Sequence, residues 1–239
     1  ATLAMTSKAA ELRAKGVDVI NLSVGEPDFS TPKNIQNAAI KAMEDGFTRY
    51  TPGAGMMDLR QAAAMKMKRD NNLNYDPKEI IVSCGGKHSL YNACQVLFQS
   101  EDEVIIFAPY WVSFPDFVSV TGAKPIFVNT DSSKQFEPDF EDLANKLTSK
   151  TKGIIINSPS NPTGGVWSDE AVQEVLAIAK KQSLWVFSDE CYEQLTYDKK
   201  YTSTATLTND ASQILTFQSC SKTYAMTCLL YTSDAADDS

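Results

Sequence analysis

From residue 79 onward the sequence alternates between two kinds of segment. Short runs rich in β-branched and apolar residues are EIIVS (79–83), EVIIFA (103–108), KPIFVN (124–129), KGIIINS (152–158), LWVFSD (184–189) and QILTFQS (213–219). Between them lie stretches with helical spacing at about 88–98, 112–121, 138–147 and 168–182. Parallel neighbours cannot be joined by a tight turn and need a crossover, usually a helix. Strands that are apolar throughout, rather than at every second position, are buried on both faces. The alternation therefore predicts an α/β fold with a mostly parallel sheet flanked by helices. Upstream, a helix is expected over 3–15 with Gly16 as its stop, then a strand-like VDVINLSV (17–24) and a turn-rich GEPDFSTP (25–32). A helix over 33–45, the loop TRYTPGAG (48–55) and a helix from Asp58 to about Asn71 complete this part. No internal repeat or low-complexity linker divides the chain.

Composition narrows the function classes. There are 22 basic and 30 acidic residues, a formal charge of −8, which disfavours nucleic acid and anionic membranes as partners. The one histidine, His88, excludes a multi-histidine metal site, and excludes a histidine-based triad unless His88 itself is the base. Its place after a glycine turn favours a structural role in the first helical turn. The five cysteines are odd in number and form no CxxC pair, so reduced thiols in a cytoplasmic protein are expected. Cys84, Cys94, Cys191 and Cys220 are expected to be small buried apolar residues. No metal site is expected. No segment reaches the ~18 apolar residues of a membrane span, and the N-terminus lacks the apolar run of a signal peptide. The chain starts without Met, so its first residue need not be the first of its gene.

In a parallel sheet, ligands bind beyond the carboxyl ends of the strands. The residues there are Gly85, Gly86 and Lys87; Tyr110 and Trp111; Asn161 in SPSNPTGG; Asp189 and Tyr192 in FSDECYE; and Ser219, Ser221 and Lys222. Glycines between strand and helix expose backbone N–H groups to an anion, or serve only a tight turn. CGGKHS is no Walker A loop, because the pattern needs Gly where Ile81 stands and Ser or Thr where His88 stands. Asp189 could hold a protonated ring nitrogen, cap a helix or bind metal; metal lacks partners, since Glu190 points to the opposite face. Trp111 is a core residue or a stacking platform. Lys222 alone would be an ordinary surface lysine. Taken jointly, the set offers an anion cradle, an aromatic plate, an amide, a carboxylate–tyrosine pair and a lysine flanked by hydroxyls. A phosphorylated aromatic aldehyde that bonds a lysine amine makes that demand, and pyridoxal phosphate is such a group.

The sequence resembles the class I aminotransferases of pyridoxal-phosphate fold type I, in particular the bacterial aspartate/prephenate branch. The resemblance rests on SVGEPDFSTP, RYTPGAGMMDLR, VSCGGKHSLYNA, APYWVSFPDF, INSPSNPTGGVWS, FSDECYE and FQSCSKTYAMT, in family order across residues 1–227. It implies an N-terminal arm and part of a small domain over 1–34, and an incomplete cofactor-binding large domain over 35–227. It implies that Lys222 carries the cofactor and moves protons, that Asp189 pairs with the pyridine nitrogen, and that Tyr192 and Asn161 bond the ring's phenolic oxygen. Trp111 would stack on the ring. The backbone at Gly86 and Lys87 and the hydroxyls of Ser219 and Ser221 would hold the phosphate, with Tyr50 reaching the phosphate of the neighbouring subunit in a homodimer. Gly25, Trp111 and Asn161 would line the amino-acid site. The implied reaction is ping-pong transamination between an aspartate-like L-amino acid and a 2-oxo acid such as 2-oxoglutarate. Other activities on the same fold are a C–S β-lyase, an ACC-synthase-like lyase and, without catalysis, a sensing domain.

The resemblance ends at Thr227. The family continues Gly-Trp-Arg, whose arginine binds the phosphate; here CLLYTSDAADDS (228–239) follows. That stretch resembles a translated transposase-type sequencing adapter, which reads Cys-Leu-Leu-Tyr-Thr-Ser-Asp-Ala-Ala-Asp in this frame. Residues 228–239 are therefore expected to be a non-native tail on a shortened chain. The family's arginine for the substrate α-carboxylate has no match here; Arg13, Arg49, Arg60 and Arg69 lie elsewhere in the pattern. The fragment itself is expected to be inactive.

Overall fold

A computed structural model of the chain describes residues 2–20, 25–198 and 200–227, with side chains from residue 7 onward. The end of the expected strand over 17–24 and the whole tail over 228–239 lie outside the described residues. The central sheet has six strands: β1 (Glu103–Ala108), β2 (Lys124–Asp131), β3 (Glu137–Pro138), β4 (Thr151–Asn157), β5 (Trp185–Asp189) and β6 (Ile214–Phe217), in the order β3-β2-β1-β4-β5-β6. All pairings are parallel except β2 with β3. The crossovers include α5 (Phe114–Ser119), α6 (Phe140–Lys146) and α7 (Asp169–Gln182). Before the sheet come α1 (Thr2–Ala14), α2 (Lys33–Glu44), α3 (Met57–Asn71) and α4 (Gly86–Leu97); α8 (Cys220–Thr223) follows β6.

The inner strands β1, β4 and β5 are mostly apolar because each of their faces meets a helical layer. Ile105, Phe107, Ile154 and Ile156 pack with Val172, Val175 and Leu176 of α7 and Leu143 of α6. Val104, Ile106, Ile155 and Phe187 turn the other way, onto Leu90 and Cys94 of α4 and Phe114 and Val118 of α5. Full burial of one such side chain contributes about 1.5–3 kcal/mol. The ends of α7 follow from its sequence. Ser168 accepts the Ala171 N–H at 3.2 Å, Asp169 and Glu170 occupy the first turn, and Lys180 and Lys181 the last. Gly153 is required by contact: a Cβ there would lie 2.4 Å from Cζ of Phe98, whose ring stacks on Phe187 with centroids 5.2 Å apart.

Two expectations are corrected, and one strand is new. Residues 79–83 form no strand; Pro77–Glu79 is a 3-10 turn capped by Asp76, and beyond it the Val82 N–H goes to the Ala54 carbonyl at 3.0 Å. Residues 17–20 carry no strand either. The two-residue β3 was not anticipated, being too short to show a period. The remaining strands agree with expectation to within two residues, and α5 is shorter than the segment 112–121.

Candidate cofactor and substrate site

The register of the sheet brings three strand ends to one level. Asn157 pairs with Asp189, and Asp189 pairs with Phe217. The loops leaving these three positions carry Asn161, Tyr192, Ser219 and Lys222. Asn157 joins them: its Nδ2 donates to the Asp189 carbonyl at 3.3 Å, and its Oδ1 accepts the Asn161 N–H at 2.8 Å. The sequence reading passed over Asn157. Its signal was the one that marked Asp189, a polar residue closing an apolar strand.

Asp189 is buried, and Oδ1 accepts the Cys191 N–H at 3.2 Å. Burial pushes its carboxyl up to about 6, against the pull of that N–H. The turn role and an exchangeable carboxylate thus coexist. Asn161 Nδ2 donates to the Tyr192 hydroxyl at 3.3 Å, and burial pushes the Tyr192 phenol up to about 12. Tyr192 is therefore a protonated donor at neutral pH, suited to an anionic oxygen. Lys222 Nζ lies 5.9 Å from the centre of the Tyr192 ring and donates to the Gly25 carbonyl. The N-terminal arm is thereby drawn over the lysine, and Thr31 Oγ1 donates to the Ala225 carbonyl nearby.

On the opposite side, Gly85 at φ +84° turns the chain into α4. Only a residue without a Cβ adopts this conformation at no cost. A Cβ on Gly86 would stand 3.8 Å from Cβ of Ser219, in the gap between the α4 N-terminus and the serine turn. Ser219 Oγ accepts the Ser221 N–H at 3.1 Å, which leaves its own O–H to donate outward. Lys87 Nζ sits 5.8 Å over the Trp111 ring. The ring is braced edge-on by Phe114 and Phe117, with centroids at 5.4 and 5.8 Å. His88 Nδ1 accepts the Cys84 N–H at 3.3 Å and so has a structural task.

Asp189 closes β5, Trp111, Asn161, Tyr192 and Ser219 lie on the segments that follow strands, Gly86 and Lys87 open α4, Ser221 and Lys222 lie in α8, and Gly25 meets them through Lys222. Tyr50 is not brought to them; it is fully exposed. Cys84, expected to be buried, is exposed, because the segment that precedes it is no sheet strand; Cys94 alone of the four described thiols is fully buried. Arg13 bonds the Val19 carbonyl, Arg60 the Pro77 carbonyl and the exposed Arg69 the half-buried Asp70.

Residues 17–235 match the family described as aminotransferase class I and II. This chain belongs to that family. Among similar sequences, the aspartate aminotransferase of Bacillus sp. strain YM-2 is 46% identical over 228 residues, covering 95% of this chain and 58% of that protein. The probable aspartate/prephenate aminotransferase of Rickettsia conorii is 46% identical over 229 residues, covering 95% and 57%. A solved structure of Thermus thermophilus aspartate aminotransferase with maleate superposes with a TM-score of 0.91 at 40% identity, covering 95% of this chain and 59% of that one. The chain is thus an aminotransferase-family α/β domain that spans somewhat under three fifths of the length of the relatives it matches.

Proposed function

We propose that this chain is the N-terminal part of a pyridoxal-phosphate-dependent transaminase that moves an amino group between an aspartate-like L-amino acid and a 2-oxo acid such as 2-oxoglutarate. The observation that carries the reading is the common level of Asn157, Asp189 and Phe217, from which Asn161, Tyr192 and Lys222 depart. The residues fit the cofactor by chemistry. Asp189 is a buried carboxylate held near 6, which a ring N–H cation would keep ionised. Tyr192 and Asn161 are donors for the phenolic oxygen, Trp111 is a braced plate for the ring, and Lys222 is the amine for the aldehyde. The N–H groups at Gly86 and Lys87, with the Ser219 and Ser221 hydroxyls, form a phosphate cradle at a helix N-terminus.

When bound, pyridoxal phosphate supplies an electron sink for the pair left on the substrate's Cα. Lys222 Nζ would be the base that takes the proton from the substrate's Cα and delivers it to the carbon that had been the cofactor's aldehyde. Asp189 holds positive charge at the far edge of the ring. Gly25, Trp111 and Asn161 line the amino-acid side. In the complete protein, Tyr50 serves the phosphate of a second subunit, which its full exposure here permits. We take the complete protein to be a cytoplasmic homodimer, as the resemblance to the family implies. Among the described residues no helix is long and apolar enough to cross a membrane.

Residues 1–34 belong to the arm and small domain, 35–227 to the large domain, and 228–239 to translated adapter. The family match runs to residue 235, inside that tail, so the codons decide. An independently amplified gene should read Gly-Trp-Arg directly after Thr227; finding codons for CLLYTSDAADDS there would reject the adapter assignment. The functional reading is tested on that uninterrupted gene product. Aspartate with 2-oxoglutarate should yield glutamate, and the absorbance of the lysine-bound cofactor should vanish in Lys222→Ala. Release of sulfide or of a cyclised product without amino-group transfer would assign the protein to a lyase instead.

A further inference from the structure

Beyond the end of the sheet, backbone pairing no longer holds the two loops that carry Tyr192 and Lys222. The last such bond is from the Glu190 N–H to the Phe217 carbonyl at 2.9 Å. After it, one chain turns through Tyr192 and Glu193, and the other enters α8 through Gln218 and Ser219. A side-chain network takes over at that point. Gln218 Nε2 donates to Glu193 Oε2 at 3.0 Å. Lys66, from the middle of α3, donates to Gln218 Oε1 at 2.8 Å, to Asn71 Oδ1 at 2.9 Å and to Glu193 Oε1. Asn71 Nδ2 closes the network on Glu193 Oε2.

All three N–H donors of the Lys66 ammonium are used, and the Glu193 carboxylate accepts from three side chains. The Glu193 side chain is 2% exposed and that of Lys66 13%. A buried ion pair adds little stability over apolar residues of the same volume, but a fully satisfied one admits few alternative geometries. Glu193 is the neighbour of Tyr192, and Gln218 the neighbour of Ser219, with Lys222 one turn further on. We propose that Lys66, Glu193 and Gln218 are positioning residues that fix the Tyr192 loop and the Ser219–Lys222 turn against each other, with α3 as the anchor. None of the three touches the substrate or the cofactor; they act through Tyr192 and Lys222. The inference rests on the cofactor reading given above.

The test uses the complete protein loaded with pyridoxal phosphate and two variants. Gln218→Met leaves the Lys66–Glu193 pair and Asn71 in place. The double variant Lys66→Met/Glu193→Met removes both charges together, so no lone charge is left buried. Besides turnover, the readouts are the pH midpoint of the lysine-bound cofactor's absorbance, the cofactor dissociation constant and Tm. In both variants the midpoint should move by about 0.5 pH units or more, as Lys222 and Tyr192 shift relative to each other. The cofactor dissociation constant should rise, and kcat should fall ~10–100-fold while KM changes little, since displacement of an aligned group by about 1 Å costs up to ~100-fold. The Tm of the double variant should stay within a few degrees of the parent, which separates lost positioning from lost folding. If the midpoint and the dissociation constant of Gln218→Met are those of the parent, the inference is overturned, whether or not the double variant folds. If the parent itself shows no lysine-bound absorbance, the cofactor reading falls and this inference falls with it. A parent with the band and variants indistinguishable from it would sink the inference alone.

Discussion

Asp189 and Glu190 are consecutive buried carboxylates at the end of one strand, and period-two alternation sends them to opposite sides. Asp189 faces the site with the Cys191 N–H as its partner there. Its place suits a partner that carries positive charge, and Asp189→Ala in the complete protein should lower turnover on the order of 100-fold or more even where cofactor binds. Near-normal turnover, measured under saturating cofactor, would remove Asp189 from that role. Glu190 lies on the other side, where Ser203, Ser188 and the Thr204 N–H bond it and Tyr201 lies close. Burial nevertheless pushes it up from 4.5 to about 7. The folded chain then keeps a proton that the unfolded chain has lost, so stability falls as pH rises from about 4.5 to about 7 and is level above. Glu190→Gln lacks this loss. Denaturant unfolding at several pH values should show the variant gaining on the parent by up to ~3 kcal/mol across that window. A difference that is constant with pH would contradict the assignment. At this scale the sequence carries a signal wherever a polar residue closes an apolar run, as at Asp189 and at the overlooked Asn157. It was silent about Lys66, whose importance comes from partners far along the chain.

At the scale of elements, local pattern was legible where burial on both faces enforces it. β1, β4 and β5 are apolar because helices cover both sides, and that requirement is written into EVIIFA, KGIIINS and LWVFSD. It was misleading at residues 79–83. A β-branched run is a strand only if another strand lies beside it, and here Val82 bonds the Ala54 carbonyl while Ile81 is 69% exposed. Close helix–sheet contact yields the element-scale prediction. Gly153→Ala would drive a methyl into the Phe98 ring, which is held by Phe187 and cannot simply rotate away. The substitution should cost about 1–3 kcal/mol in urea unfolding, the range for overpacked cores. Pairing it with Phe98→Leu should recover part of that loss, whereas a neutral Gly153→Ala would show that β4 and α4 are looser than described.

At the scale of the molecule, the described chain is a sheet with an open side. β6 pairs with β5 on one edge, and among the described residues no strand lies on the other. Ile20, Phe29, Met43, Phe47, Tyr50 and Val112 are largely exposed. Unpaired edges and apolar patches of this kind promote association. The 239-residue polypeptide, expressed alone, should bind a hydrophobic dye, elute as aggregate in size exclusion and show no amino-acid-dependent turnover. A monodisperse, active 239-residue protein would contradict both the proposed arrangement into domains and the need for further chain. Whether Lys222 is the amine that holds the cofactor is open to chemical trapping. The complete protein is incubated with pyridoxal phosphate, reduced with borohydride and mapped by peptide mass spectrometry. The phosphopyridoxyl group should be found on Lys222 and should be absent after Lys222→Ala; a stable adduct on Lys87 or any other lysine, with Lys222 unmodified, would contradict the account.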